Sequence, residues 1–280
     1  MKQTSIKLIL LALLFSIIAC GIQSQFNKAG RLESKGLYLD AIKIYKSIYN
    51  KNRNSEIGAT ALYNTARVYH RKMKIFSEST KLYNEVIGKF SPDSTAVKLS
   101  KTGLFDSPNY FPFNNKSTWI EGDSQTGGKN MRIEWYCTEI STYTKCFVQR
   151  KFFAGTKLAA EVKRYFAKDN FELQESLSQN FLNATITLKY PFETGKTWIS
   201  ERENRKLKFT IMDNNATVKV RAGEFSGCLK IREQDLANPL GCKYDYYAPE
   251  IGHILTSIGT SNSSSEYRNN ELISYTITPD

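Results

Sequence analysis

Histidine is scarce in this chain: His70 and His253 are the two among 280 residues. Neither has partners at metal-ligand spacing, so no metal site is expected. Two further signatures are missing, the G-x-x-x-x-G-K-[ST] phosphate loop and the G-x-S-x-G nucleophile elbow. The aspartates and glutamates are scattered along strand edges, with no pair suited to general acid–base work. These absences exclude the commoner enzyme constellations. The expectation is a protein that is not an enzyme and carries no cofactor. Also missing from the N-terminus is an apolar run of the roughly 20 residues that a membrane-spanning helix needs. The run there, LILLALLFSIIA at residues 8–19, has 12.

That short run has its own meaning. Lys2 and Lys7 precede it and Cys20 follows it. A basic segment, a short apolar stretch and small residues near a cleavage point describe an export signal over residues 1–19. Ile17-Ile18-Ala19-Cys20 resembles the bacterial lipobox. The resemblance implies cleavage before Cys20, lipid attachment to its sulfur and usually an acyl chain on the new amino group. Two or three chains make a stable membrane anchor where one does not. Gly21, rather than Asp, follows the cysteine, which in the familiar sorting rule implies the outer membrane rather than the inner. The plainer alternative is a secreted protein whose Cys20 pairs with another cysteine. Export leaves Cys137, Cys146, Cys228 and Cys242, an even number in an oxidising compartment, with three possible pairings.

The net charge of +12 is unevenly placed. Residues 21–106 hold 15 Lys and Arg against 7 Asp and Glu, whereas residues 107–280 hold 22 against 20. An exported chain is not expected to meet nucleic acid. Anionic lipid, anionic envelope polymers or an acidic protein suit the basic segment. A solvated helix surface is the bland alternative.

Residues 20–106 read as helices at period 3.6. Tyr38, Ala41, Ile42, Tyr45, Ile48 and Tyr49 share one face, as do Ala59, Leu62, Tyr63, Ala66 and Tyr69, then Phe76, Ser79, Leu82, Tyr83, Val86, Ile87 and Phe90. Gly36 and the stretch 50–54 separate helices. Ser55 is placed to cap the next one, and Pro92 stands near the start of a last one over about 94–103. Gly36-x-Tyr38-x-x-Ala41-Ile42-x-x-Tyr45 resembles the second half of a tetratricopeptide repeat. A second unit follows near Ala59 to Phe90. Ala29, Ala41, Ala66 and Ser79 are the small residues that close helix crossings require. The chain departs from that family in lacking its early Trp and in placing Ser79 where Ala is usual. KFSPDSTAVK is similar to a junction in repeat-containing outer-membrane assembly lipoproteins. The resemblance implies about five helices and a protein partner contacted through residues 22–105. A mere spacer between membrane and second domain is the alternative.

From Tyr110 onward the texture is alternation. Met131, Ile133, Trp135 and Cys137 form one face of a half-buried strand, with residues 143–153 folding back on it. Setting Cys137 opposite Cys146 puts Trp135 opposite Val148 and Met131 opposite Phe152, with Arg150 as the misfit. A Cys137–Cys146 disulfide follows from that register. Cys228 and Cys242 flank a second expected hairpin with its turn at Asn238–Gly241, and are expected to pair as well.

The chain also repeats itself. PFNNKSTWI (112–120) returns as PFETGKTWI (191–199), Cys146–Arg150 as Cys228–Arg232, and Tyr165-Phe166-Ala167 as Tyr246-Tyr247-Ala248. Three ordered matches at offsets of 79, 82 and 81 residues predict tandem β units over about 110–189 and 190–278. Trp119 and Trp198 read as packing residues opening strands, and Gly195 and Gly252 as turn residues of positive φ. Phe192…Gly195-x-Thr197-Trp198, Ala222-Gly223-x-Phe225-x-x-Cys228 and Tyr246-Tyr247-Ala248-Pro249-x-x-Gly252 resemble a β domain of uncharacterised bacterial lipoproteins. That family implies a fold and an envelope address, and no reaction.

The whole chain is thus expected to be an α+β protein of two domains, helical over 20–106 and antiparallel β over 107–280. A lipid-anchored interaction module is the leading expectation. A carrier holding a hydrophobic ligand in a curled β domain is the second. Replacing Cys20→Ala should move the protein out of carbonate-washed membranes, and a variant that stays behind with them overturns the anchor.

Overall fold

A computed structural model describes residues 21–142, 144–261 and 265–278. The signal segment and Cys20 lie outside the described residues. The chain divides into two compact units, one ending at Pro108 and the other beginning at Asn109. No helix among the described residues is long and apolar enough to cross a membrane.

The first unit holds five helices: α1 over residues 21–34, α2 Tyr38–Lys51, α3 Glu56–Arg67, α4 Phe76–Lys89 and α5 Thr95–Phe105. The faces read from period 3.6 are the buried ones. They are Ala41, Ile42, Tyr45 and Ile48 on α2, Ala59, Leu62 and Ala66 on α3, and Ser79, Leu82, Tyr83 and Val86 on α4. Ala29, Ala41, Ala66 and Ser79 are wholly buried, as close helix crossings demand. Glu33 joins three helices by accepting hydrogen bonds from Tyr45 Oη and Arg67 Nη2, both at 2.7 Å. Ser55 caps α3 by accepting from the Gly58 amide at 3.3 Å.

One detail differs from expectation. Ser94, not Pro92, sets the start of α5: its hydroxyl accepts from the Val97 amide at 3.4 Å. A side-chain acceptor satisfies an amide left free at a helix start, and Pro92 falls in the turn before it. His70 lies just beyond α3. Val68–Met73 is π-helical, and the wider turn brings buried His70 Nδ1 to 3.3 Å from Tyr83 Oη.

The second unit is one antiparallel sheet. Its strands are β1 Thr118–Asp123, β2 Met131–Thr142, β3 Lys145–Ala154, β4 Lys157–Asp169, β5 Glu172–Ser176 and β6 Thr185–Lys189, then β7 Thr197–Arg202, β8 Arg205–Val220, β9 Gly223–Asp235, β10 Asn238–Ala248, β11 Gly252–Thr260 and β12 Glu266–Thr276. The spatial order is β6-β5-β4-β3-β2-β1-β12-β11-β10-β9-β8-β7. Each set of six strands is therefore a meander, and β1 pairs with β12 to join them.

The two edges, β6 and β7, meet without a ladder. Three hydrogen bonds cross between them: Thr185 Oγ1 to Glu201 O at 2.8 Å, Ile186 N to Ser200 Oγ at 2.8 Å, and Trp198 Nε1 to Ile186 O at 2.9 Å. The sheet is thus a nearly closed barrel, and these bonds occupy part of an edge that would otherwise template aggregation.

The repeated motifs fall on corresponding strands. Both Thr-Trp-Ile strings open a set of six, in β1 and β7. The cysteine strings lie in β3 and β9, and the Tyr-aromatic-Ala strings in β4 and β10. Trp119 and Trp198 are packing residues, each buried, with Trp119 Nε1 donating to Ile251 O at 2.7 Å and Trp198 stacked on Phe209. Gly195 and Gly252 have φ of 90° and 105°, the left-handed region that a Cβ disfavours.

The registers correct the cysteine geometry. Cys137 stands opposite Val148, and Cys146 opposite Ile140, because the β2–β3 pairing shifts at a bulge after Cys137. The shift keeps the face, so both cysteines stay buried and their thiols are in hydrogen-bonding contact. The second pairing does not fit. The β9–β10 turn lies at Leu236-Ala237, upstream of the expected position, and Cys242 stands opposite Gln234. Cys228 is six residues further along β9, about 20 Å at 3.3 Å per residue, whereas a disulfide spans at most about 7 Å between Cα atoms. All four cysteines are free thiols in this structure.

Candidate functional site: a charged cavity within the sheet

Strand alternation sends every second side chain inward. In an ordinary sheet core those positions are apolar. Here Leu207, Phe209 and Ile211 on β8 and Leu173 on β5 meet that rule and are buried. At one level of the barrel the rule fails. Lys243, Asp245 and Tyr247 on β10 face a cavity of about 270 Å³, and every one of the twelve strands contributes to its wall. Nine charged side chains line it: Glu121, Arg150, Arg164, Glu175, Arg202, Glu233, Lys243, Asp245 and His253.

Six of the nine form a chain of alternating sign. Arg202 Nη1 lies 2.9 Å from Glu233 Oε2, and Lys243 Nζ lies 3.1 Å from the same atom. Lys243 Nζ is also 2.8 Å from Asp245 Oδ2. His253 closes the chain, with Nε2 at 3.3 Å from Asp245 Oδ1 and Nδ1 at 2.7 Å from Glu121 Oε1. Neutral neighbours complete it: Thr256 Oγ1 donates to Asp245 at 2.7 Å and Asn270 Nδ2 to Glu121 at 2.7 Å.

The titration of these groups follows from that arrangement. Burial pulls the His253 pKa down, but Glu121 and Asp245 outweigh it and hold the imidazole up to about 10. His253 is therefore an imidazolium at neutral pH, donating from both ring nitrogens. Burial pushes Asp245 up, yet Lys243 and His253 hold its carboxyl well below the usual carboxylate range. Lys243 is raised, because Asp245 and Glu233 overcome the burial that would discharge it.

Arg150, Arg164 and Glu175 make a second, smaller group. Arg150 Nη1 and Arg164 Nε each lie 3.3 Å from the same Glu175 Oε1. The Arg150 guanidinium lies over the Trp135 ring, 3.8 Å from its centroid, and Trp135 in turn stacks on His253 with 12° between ring planes. Burial pushes Glu175 up, and Arg150, Arg202 and Arg164 hold it down as a carboxylate.

The expected hydrophobic carrier site does not match this lining. An apolar ligand placed here would strip water from nine charged groups and offer them nothing in exchange. Nor does the sequence mark a pair of carboxylates suited to acid–base work. Glu121 and Asp245 are one, buried on either side of His253. Glu121 and His253 are 132 residues apart, a separation no local pattern reveals. Arg150 gave the one usable signal, as a charge on an otherwise apolar strand face.

Arg232, which the repeat matches to Arg150, is not part of the wall. Its strand presents Ile231 and Glu233 to the cavity instead, after register shifts in the β8–β9 pairing near Cys228. The remaining predicted site residues lie elsewhere: none of the four cysteines lines the cavity.

No protein-family model matches the chain, and no curated protein matches it. The resemblances to the tetratricopeptide repeat and to the lipoprotein β domain therefore rest on the residues quoted above. A solved structure from Parabacteroides distasonis ATCC 8503, described as a candidate lipoprotein, aligns with 60% of this chain and 98% of its own. The identity is 12% and the TM-score 0.38, a level of likeness that carries no argument about fold or function.

The raised pKa of His253 predicts a pH dependence with a definite sign. Its bonds to Glu121, Asp245 and Thr256, and the Trp135 and Tyr247 rings against it, belong to the folded state. A folded pKa of about 10 against 6.5 unfolded stabilises the barrel fully below pH 6.5, and that stability is lost as pH rises to about 10. Calorimetry should show the barrel melting roughly 5–10 °C lower at pH 10 than at pH 6.5. His253→Gln should start lower and lack this component of the slope, so parallel profiles for the two proteins would count against it.

Proposed function

We propose that this chain is a lipid-anchored protein of the cell envelope, at the outer membrane rather than the inner, that acts by binding and not by catalysis. Its barrel, built from two related halves, retains a small polar molecule, and its helices contact an envelope protein through residues 22–105. The charged cavity carries this reading. A barrel that needed only to be a spacer would fill its interior with apolar side chains, as β8 does nearby. Nine charged side chains lining one cavity instead suit a polar ligand that replaces the water they would otherwise hold. Binding is favoured over chemistry because His253, the one imidazole in the cavity, is held as a cation between two carboxylates. An imidazole fixed in that way is a poor proton acceptor at neutral pH. The helical array supports a protein contact through its buried small residues and its basic surplus.

Purification of the full chain from crosslinked envelopes tests both parts. Native mass spectrometry should show a small-molecule adduct that is lost on denaturation, and crosslinks to a partner should map to residues 22–105. A chain free of adduct, with crosslinks confined to the barrel, overturns the proposal.

Export into an oxidising compartment also bears on Cys137 and Cys146. Thiols already in contact on neighbouring strands need little movement to join. Non-reducing peptide maps of the exported protein are expected to link Cys137 to Cys146 and to leave Cys228 and Cys242 unlinked to each other. A Cys137 found alkylated in full, or joined elsewhere, refutes the link.

A further inference from the structure

The charges in the cavity do not cancel evenly. Along the chain from Arg202 to Glu121, three cations (Arg202, Lys243 and His253) face three carboxylates (Glu233, Asp245 and Glu121). That group is neutral by itself. The remaining group is not: two guanidiniums, Arg150 and Arg164, share one oxygen of one carboxylate, Glu175. One positive charge in this group is left without a carboxylate of its own.

Hydrogen bonding tells the same story independently. Three buried nitrogens in the cavity wall have no acceptor: Trp135 Nε1, Arg150 Nε and Arg164 Nη1. All three are N–H donors, and two belong to the guanidiniums that carry the surplus charge. Trp135 lies directly beneath Arg150. Leaving such donors unsatisfied costs more than an ordinary hydrogen bond contributes, and the cost rises for charged groups. Native interiors rarely tolerate three together without something to accept from them.

We propose that Arg150, Arg164 and Trp135 form a binding site for the carboxylate of a small organic acid. This rests on the reading of the barrel as a holder of polar ligands and adds the class of ligand. One carboxylate supplies what is missing: a single negative charge and two oxygens with lone pairs enough for three donors. Guanidiniums match carboxylate geometry, and Glu175 opposite keeps a dianion from being favoured over a monoanion. The body of the acid has apolar faces to rest on. Phe166 lies 5.6 Å from the Arg150 guanidinium by its ring centroid and packs on Phe111, with centroids 4.6 Å apart. Both phenylalanines line the cavity. The acid is thus one whose uncharged end is at least partly apolar.

Titration calorimetry on the full chain, with benzoate, benzyl alcohol and inorganic phosphate as probes, tests the assignment. Tryptophan emission reports occupancy, since Trp135 would lie against the probe. Benzoate should bind, and benzyl alcohol, its neutral counterpart in shape, should bind at least about tenfold more weakly. Arg164→Gln should weaken benzoate by about tenfold or more, and Trp135→Phe by a few-fold, with benzyl alcohol nearly unaffected. Should a variant fail to fold, the comparison of the three probes on the parent chain decides alone. Benzyl alcohol binding as tightly as benzoate overturns the carboxylate site while leaving a ligand-holding barrel in place. Phosphate binding without benzoate likewise overturns the carboxylate assignment. No response to any probe, in a chain that also carries no adduct from the envelope, overturns both the site and the reading beneath it.

Discussion

A carboxylate, guanidinium or ammonium removed from water costs several kcal/mol unless a partner of opposite sign and good geometry replaces the solvent. Nine such groups share the interior of this barrel. The arrangement of the β unit answers to that demand. Each link from Arg202 through Glu233, Lys243, Asp245 and His253 to Glu121 takes its members from different strands or from alternate positions on one. A strand slipped by one residue would turn a charge outward and leave its partner buried alone. The ion chain therefore penalises wrong registers more sharply than an apolar interior would, even where its net contribution to stability is small.

Closure of the sheet follows from the same interior. Twelve strands wrapped round one axis enclose more room than side chains at every level can fill, and the width grows with strand number. Where long residues such as Leu207 and Ile211 point inward, the barrel packs solid. Where charged residues point inward, their tips pair with one another along the wall and the cavity remains between them. The β6–β7 seam shows how little is needed to hold the last edge. Hydrogen bonds from Thr185 Oγ1, the Ile186 amide and Trp198 Nε1 take the place of a ladder there. The tryptophan of the repeated Thr-Trp-Ile string thus has a different duty in each set of six strands. Trp198 spans an open seam, whereas Trp119 ties β1 to the turn at Ile251.

Much of this was legible in the sequence, and the boundary of legibility is physical. Helical faces follow from period 3.6, so Ala41, Tyr45, Ala66 and Tyr83 were readable, and their burial agrees. Strand faces follow from period 2, which puts Trp135 and Cys137 on one face, and in the structure Cys137 is buried and Trp135 lines the cavity. The position of a hairpin turn is less local. Leu236-Ala237 lacks glycine and proline, and the turn expected at Asn238–Gly241 had both, which misplaced β10 and made Cys228–Cys242 look feasible. Bulges are less local still. The shift after Cys137 depends on how β2 and β3 settle together and has no composition signal of its own. Contacts across the barrel, such as Glu121 with His253, were beyond reach, because opposite charges far apart in sequence look like any two surface residues.

The misfit was the informative residue. Arg150 falls on a face shared with Val148 and opposite Trp135, where a surface strand would carry an apolar side chain. An isolated buried guanidinium is among the costliest groups a core can hold, so its presence demands compensation nearby. Glu175 supplies part of it, but Glu175 also serves Arg164. The two sets of six strands, alike in topology and in several motifs, differ at this point. Arg232, in the position matched to Arg150, is turned away from the cavity, and the second set neutralises its own charges with help from Glu121 of the first. Two sets of strands that share a frame but differ in charge leave one side of the cavity complete and the other in need of an anion. The asymmetry, rather than the shared frame, is what points to a ligand.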